Sequence, residues 1–98
     1  MTKAEMKEIL VKKFRDEESS FTAKDIKISV SKNVTVISIK DYEACPFKIT
    51  AEYDDYFGYC LYVYDVAYEE YIGMYDSKKD YPWRDALVNV AYHIAATF

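Results

Sequence analysis

Four groups of residues in this 98-residue chain have side chains that can do chemistry. They are the single histidine, His93, the two thiols, Cys45 and Cys60, and the acidic pairs Asp54-Asp55 and Glu69-Glu70. A zinc site or a catalytic triad needs several such side chains together, and His93 has no companion at a suitable spacing. We therefore expect His93 to be a surface or boundary residue of the last helix.

The acidic pairs and the thiols do not form a known catalytic motif either. Asp54-Asp55 lacks the D-x-D-x-D-G spacing and the distant glutamate of a calcium loop. Glu69-Glu70 would suit acid–base catalysis only if buried together, and we expect them at a solvated strand end. Cys60 is predicted to lie opposite Glu52, a neighbour that raises a thiol pKa. The sequence thus predicts a protein that is not an enzyme and holds no metal and no cofactor.

Composition favours one compact domain. Hydrophobic residues make up 51% of the chain, which contains two glycines and two prolines, so the core is ample and the loops are few. No linker, repeat or low-complexity tract divides it, and residues 1–98 are predicted to form a single domain. The chain has no apolar stretch of membrane-spanning length, and its charged start is unlike a signal peptide. These features favour a cytoplasmic location with free thiols.

Two helices are predicted, one at each end of the chain. The first spans about residues 2–18, because Thr2 and Glu5 match the S/T-x-x-E capping pattern and apolar residues follow at spacings of three and four. The second begins near Pro82, which suits a first helical turn, and Asp80 is positioned to cap it. Its apolar stripe comprises Leu87, Val90, Ala91, Ile94 and Phe98.

Between the helices, apolar and polar residues alternate as in β-strands. A two-residue connection at 32–33 joins the first pair of strands, and a turn centred on Tyr56 joins the second pair. These turns set the register on the buried side of the sheet. The predicted pairs are Ile28 with Ile37, Ile26 with Ile39, Ala51 with Leu61, Ile49 with Val63, and Tyr53 with Tyr59.

The register of a fifth strand, over residues 68–75, is left open by the sequence. A fold-back about Glu69-Glu70 sets Tyr64 opposite Tyr75 on the outer face and turns Met74 inward. Two consecutive glutamates make a poor tight turn, so a wider loop or a bulge that shifts the register by one residue is an open alternative. The element order predicts an α+β two-layer sandwich: an antiparallel sheet of four to five strands with an N-terminal and a C-terminal helix on one face.

Acidic residues and tyrosines are concentrated in one segment. Residues 41–80 hold ten acidic residues, three lysines and nine of the eleven tyrosines, a net charge of −7, whereas residues 1–40 carry +3. Aromatic residues are enriched at protein interfaces, and carboxylates attract basic partners and repel nucleic acid. We expect the partner-binding residues to be Asp54, Asp55, Tyr62, Tyr64, Glu69, Glu70, Tyr71, Tyr75, Asp76 and Asp80.

This surface favours a non-enzymatic protein-binding module. Its partner would be a basic protein surface, for example a nucleic-acid-binding groove that the carboxylates occupy at phosphate-like positions. In size and charge the chain is similar to small acidic inhibitors encoded by phages and mobile elements, including anti-CRISPR proteins, with which it shares no motif that we identify. Direct binding to nucleic acid or to a membrane is not expected.

Two alternatives remain open. One is a homodimer or larger homo-oligomer that packs its outer sheet face on a second copy, through Val34, Val36, Tyr62, Tyr64 and Tyr75. The other is nucleic-acid binding, because the helix–strands–helix order and Ser77-Lys78-Lys79 before the last helix resemble the double-stranded-RNA-binding domain. Asp76, Asp80 and Asp85 depart from that pattern, and the overall charge of −4 opposes binding to phosphates.

Overall fold

The computed structural model describes residues 1–78 and 81–98. In chain order its elements are α1 (Lys3–Asp16), a short 3-10 helix (Ala23–Asp25), β1 (Ile26–Ser31), β2 (Val34–Ile39), β3 (Phe47–Asp54), β4 (Gly58–Asp65), β5 (Glu70–Asp76) and α2 (Pro82–Thr97). The strands form one antiparallel sheet in the order β1-β2-β3-β4-β5, so each strand pairs with its neighbours in sequence. The predicted α+β fold is confirmed.

Both helices pack on the same face of the sheet. Each helix contributes side chains that are completely buried: Leu10 and Phe14 of α1, and Leu87 and Ile94 of α2. These side chains share one core with the inward side chains of the strands, such as Leu61. Burial of these apolar side chains is the main source of stability for a domain of this size. The opposite face of the sheet, which we call the outer face, is covered by neither of the two described α-helices.

The two α-helices differ in how their first turns are capped. Thr2 Oγ1 accepts a hydrogen bond from the Glu5 N–H at 3.1 Å, and Glu5 Oε1 accepts one from the Thr2 N–H at 3.0 Å, so the predicted capping box is confirmed. At the start of α2, Tyr81 is the N-cap and donates its N–H to Asp85 Oδ2 at 3.0 Å. The predicted cap Asp80 lies outside the described residues. Neither described helix is long and apolar enough to cross a membrane.

The registers predicted for the two hairpins are confirmed. Ile28 pairs with Ile37 in β1–β2, and Ala51 pairs with Leu61 in β3–β4. Both hairpins have short connections, whose length determines which residues can pair. Tyr53 also pairs with Tyr59, on the side of the sheet that faces the helices.

The register expected for β5 is wrong: the chain turns back over residues 66–69 and not about Glu69-Glu70, so the partner of Tyr64 lies four positions earlier than predicted. The strand does contain a bulge, as the alternative allowed, but the register differs by more than the one residue expected for it. The ladder shifts between Val63 and Tyr64, so that Tyr64 pairs with Tyr71 and Leu61 pairs with Tyr75. Tyr75 therefore faces the helices and packs against the core, so it is not part of the outer face. Met74, which was expected inside, lies opposite Tyr62 and is 43% exposed on the outer face.

Candidate protein-binding surface

Three of the predicted tyrosines meet on the outer face. Tyr62 and Tyr64 point away from the helices because the alternate residues of β4 are in the core. Tyr71 of β5 contacts both rings edge-on, with centroid distances of 6.4 Å to Tyr62 and 4.9 Å to Tyr64. Tyr71 is 71% exposed, and the other two are half-buried. We call Tyr62, Tyr64 and Tyr71 the tyrosine cluster.

A shallow groove of about 560 Å³ adjoins the tyrosine cluster. Its lining residues are Thr50, Glu52, Tyr62, Tyr71, Gly73 and Met74. Burial raises the pKa of the Tyr62 hydroxyl, and the charges of Cys60, Glu52 and Asp54 raise it further. The hydroxyl therefore stays protonated near neutral pH, and the groove offers a hydrogen-bond donor next to aromatic and apolar surface.

The turn between β3 and β4 forms a rigid end of this surface, which we call the hairpin tip (residues 53–59). Asp54 Oδ1 accepts hydrogen bonds from the N–H groups of Tyr56 and Phe57, each at 2.8 Å. These two bonds lower the pKa of the Asp54 carboxyl, so it is ionised at neutral pH. Asp55 is exposed beside it.

The segment after β5 braces the hairpin tip. The Ser77 N–H donates to the Tyr59 carbonyl at 3.0 Å, and Ser77 Oγ accepts from the Tyr59 N–H at 3.2 Å. Lys78 Nζ donates to the Tyr56 carbonyl. Gly58 has a φ of +75°, and a Cβ there would lie 2.8 Å from Ser77 Oγ, so a side chain is disfavoured at this position. These contacts restrain the conformation of the tip.

The hairpin tip also exposes aromatic rings, contrary to part of the prediction. Tyr53 is 76% exposed, Tyr56 is 72% exposed, and Phe57 and Tyr59 are each 37% exposed. Tyr53 and Tyr59 lie on the predicted side of the sheet, but neither described α-helix covers this end of the hairpin. The strand pattern shows which face a residue occupies and not how far the helices reach. A useful signal in the sequence was the density of aromatic residues within a turn.

The predicted acidic residues do not form one cluster. Asp54 and Asp55 lie at one end of β4, and Glu69 and Glu70 lie at the other end. Eight residues of β4 separate the two ends, which corresponds to about 24 Å. Asp76 is buried, its Oδ1 accepting the Lys78 N–H at 2.9 Å, and Asp80 lies outside the described residues.

Glu52 joins Asp54 and Asp55 at the acidic end, although the sequence did not single it out as a contact residue. It lines the groove and pairs with Cys60 across β3 and β4. Nine of the ten predicted contact residues lie within the described part of the chain, and five of these nine belong to the surface between the hairpin tip and the tyrosine cluster: Asp54, Asp55, Tyr62, Tyr64 and Tyr71.

His93 and Cys60, which were considered for catalysis, lie in the following surroundings. His93 is half-buried on α2, and its Nδ1 lies 2.9 Å from the Asn89 carbonyl oxygen. Cys60 is fully buried, and burial raises the pKa of its thiol, with Asp54, Asp76 and Glu52 adding to the effect. Within residues 1–78 and 81–98, no group of three or more His, Cys, Asp or Glu side chains is placed to hold a metal ion.

Comparison of the chain with protein-family models, with curated proteins and with solved structures found no significant match.

Proposed function

We propose that this chain is a non-enzymatic protein-binding module that docks its hairpin tip and tyrosine cluster on a basic surface of a partner protein. The observation that carries the proposal is the hairpin tip, where the exposed rings of Tyr53 and Tyr56 flank the carboxylates of Asp54 and Asp55. Exposed aromatic residues beside polar groups are typical of protein interfaces.

The rigidity of the hairpin tip supports this proposal. Ordering a loop on binding reduces affinity, because the lost conformational freedom offsets part of the contact energy. The Asp54 hydrogen bonds and the Ser77 brace already hold the tip in the free protein. A partner can therefore bind Tyr56 and Asp55 with little entropic cost of ordering the loop.

Charge selects the kind of partner. Glu52, Asp54 and Asp55 lie along one end of the outer face, where Lys78 Nζ donates to the Tyr56 carbonyl of the tip. Carboxylates at the rim of an interface mainly speed association with a positively charged surface. In its sharpest form, the partner surface is a nucleic-acid-binding groove, and this chain inhibits nucleic-acid binding by occupying it.

Binding kinetics test the proposal, once a partner has been captured from a lysate and purified. Asp55→Lys should slow association and weaken its salt dependence, since rim charges act before contact. The matched control is Glu70→Lys, which makes the same charge change at the far end of β4 and should bind like the parent. Competition between this chain and nucleic acid for the partner tests the inhibitor form.

A second pair of variants tests the aromatic contact. Tyr56→Ala should accelerate dissociation about 30-fold or more, as for the truncation of a central interface residue. Tyr68→Ala, which removes a similarly exposed ring at the opposite turn, is the control and should leave dissociation unchanged. The proposal is wrong if Asp55→Lys and Tyr56→Ala both bind the partner like the parent.

A further inference from the structure

β1 is an edge strand whose outward backbone groups are open. The Lys40 N–H donates to the Asp25 carbonyl at 2.7 Å, and in an antiparallel pair the hydrogen-bonded residues alternate. Residues 27, 29 and 31 therefore bond to β2, whereas Ile28 and Val30 direct their N–H and C=O groups away from it. Within the described residues, these groups of Ile28 and Val30 have no hydrogen-bond partner.

The two edges of the sheet differ in how well they resist pairing with another strand. β5 is interrupted by the bulge at Ile72, a common device for protecting an edge. β1 pairs with β2 over six residues in unbroken register and contains no proline. It carries a single lysine, Lys27, which is engaged with Glu43 at 2.8 Å on the outer side. β1 is thus the edge that can accept a further strand.

A groove runs between β1 and the first turns of α1. It is lined by Lys3, Ala4, Lys7, Ile26, Lys27 and Ile28. Ile28 is half-buried, and Val30 on the same side of the strand is 48% exposed, so apolar surface remains open next to the edge. Lys3 and Lys7 form no salt bridge with another described residue.

We propose that the edge of β1 binds an extended acidic segment of a protein partner, which adds a sixth strand to the sheet. Main-chain hydrogen bonds to Ile28 and Val30 supply affinity, and side chains of the segment lie in the groove. Carboxylates of the segment pair with Lys3 and Lys7. A second copy of this chain is a poorer occupant, because pairing through its β1 would bring Lys3 and Lys7 of its own α1 towards the same two lysines.

This site is separate from the hairpin tip, so the two proposals fail independently. The probes are two blocked eight-residue peptides, one of alternating Val and Glu and one of alternating Val and Lys, titrated into the 15N-labelled protein. The Val-Glu peptide should shift the amide signals of Ile28 and Val30 and slow their hydrogen exchange. The Val-Lys peptide should bind at least about fivefold more weakly.

Two pairs of variants separate main-chain pairing from charge. Val30→Pro removes an outward N–H without breaking the β1–β2 ladder, and should weaken Val-Glu binding about tenfold, while Val30→Thr keeps the N–H and the binding. Lys7→Glu should weaken binding about fivefold, and Lys48→Glu on the outer face should not. If Val30→Pro does not fold, Lys7→Glu still tests whether the peptide binds at this edge.

Several results would overturn the proposal. The first two are that the Val-Glu peptide does not bind at millimolar concentration, or that both peptides bind equally well. The third is that the peptide shifts the amide signals of the tyrosine cluster in place of those of Ile28 and Val30. The last is that the Val30 amide is protected from hydrogen exchange without peptide, to a degree that rises with protein concentration. The last result would assign the edge to self-association.

Discussion

Asn89 of α2 donates two hydrogen bonds to β5, one to the Tyr75 hydroxyl at 2.8 Å and one to the Ile72 carbonyl at 2.9 Å. Gly73 makes room for this arrangement, since a Cβ there would lie 2.5 Å from Asn89 Nδ2 and 2.7 Å from the Tyr75 ring. The contact ties the last strand to the last helix and holds Tyr75 on the helix side of the sheet. It accompanies the bulge at Ile72, which reverses the facing of Tyr75 and Met74 relative to the prediction.

Removing this contact should lower stability. Asn89→Ala leaves the Tyr75 hydroxyl and the Ile72 carbonyl without this donor, and we expect a loss of about 1–2 kcal/mol in the free energy of unfolding in urea. Tyr75→Phe removes one bond and should cost about 1 kcal/mol. Tyr71→Phe, which changes an exposed tyrosine, should cost less than about 0.5 kcal/mol. Equal stability of the two phenylalanine variants would contradict this account.

Leu61 tests the position of the core. It is completely buried beneath the helices, so Leu61→Ala should lower the free energy of unfolding by about 2–5 kcal/mol through lost burial and a cavity. Met74→Ala, a truncation on the outer face, should cost clearly less because Met74 is 43% exposed. The comparison is made by urea denaturation, and a small loss for Leu61→Ala would refute the packing.

Asp54 should make the hairpin tip sensitive to acid. The N–H groups of Phe57 and Tyr56 lower its pKa in the folded state. Because the pKa is lower in the folded state, the ionised carboxylate stabilises the fold at pH values above about 3.9, the pKa of the carboxyl in the unfolded chain. This contribution disappears as the pH falls through the lower pKa of the folded state. NMR titration should therefore show the Tyr56 and Phe57 amide signals changing below pH 3.9. Asp54→Asn keeps an acceptor oxygen without the charge and should abolish that titration step.

The two thiols should differ in reactivity. Cys60 is fully buried and its thiol pKa is raised, whereas Cys45 is half-buried. With a disulfide reagent at pH 8, Cys45 should react in the folded protein and Cys60 only after unfolding. Cys45→Ser should leave only the slow reaction. A fast reaction at Cys60 in the folded protein would show that this end of the outer face opens.

The sequence was sufficient wherever neighbouring residues decide the structure. The Thr2–Glu5 capping box forms between residues three apart, and the short connections at 32–33 and near Tyr56 bring only certain residues opposite one another. The confirmed pairs Ile28–Ile37 and Ala51–Leu61 follow from that geometry. The antiparallel sheet with two helices on one face then follows from which sides are apolar.

Tertiary structure decided the features that depend on distant segments. The side of the sheet on which Tyr75 lies follows from the bulge and from its contact with Asn89. Asn89 belongs to α2, whereas Tyr75 belongs to β5. The exposure of Tyr53 depends on how far the helices cover the sheet, and the separation of Asp54 from Glu69 depends on the course of β4. Alternation along a strand determines a face and nothing about what covers it, because coverage is set by packing between elements that are far apart in the chain.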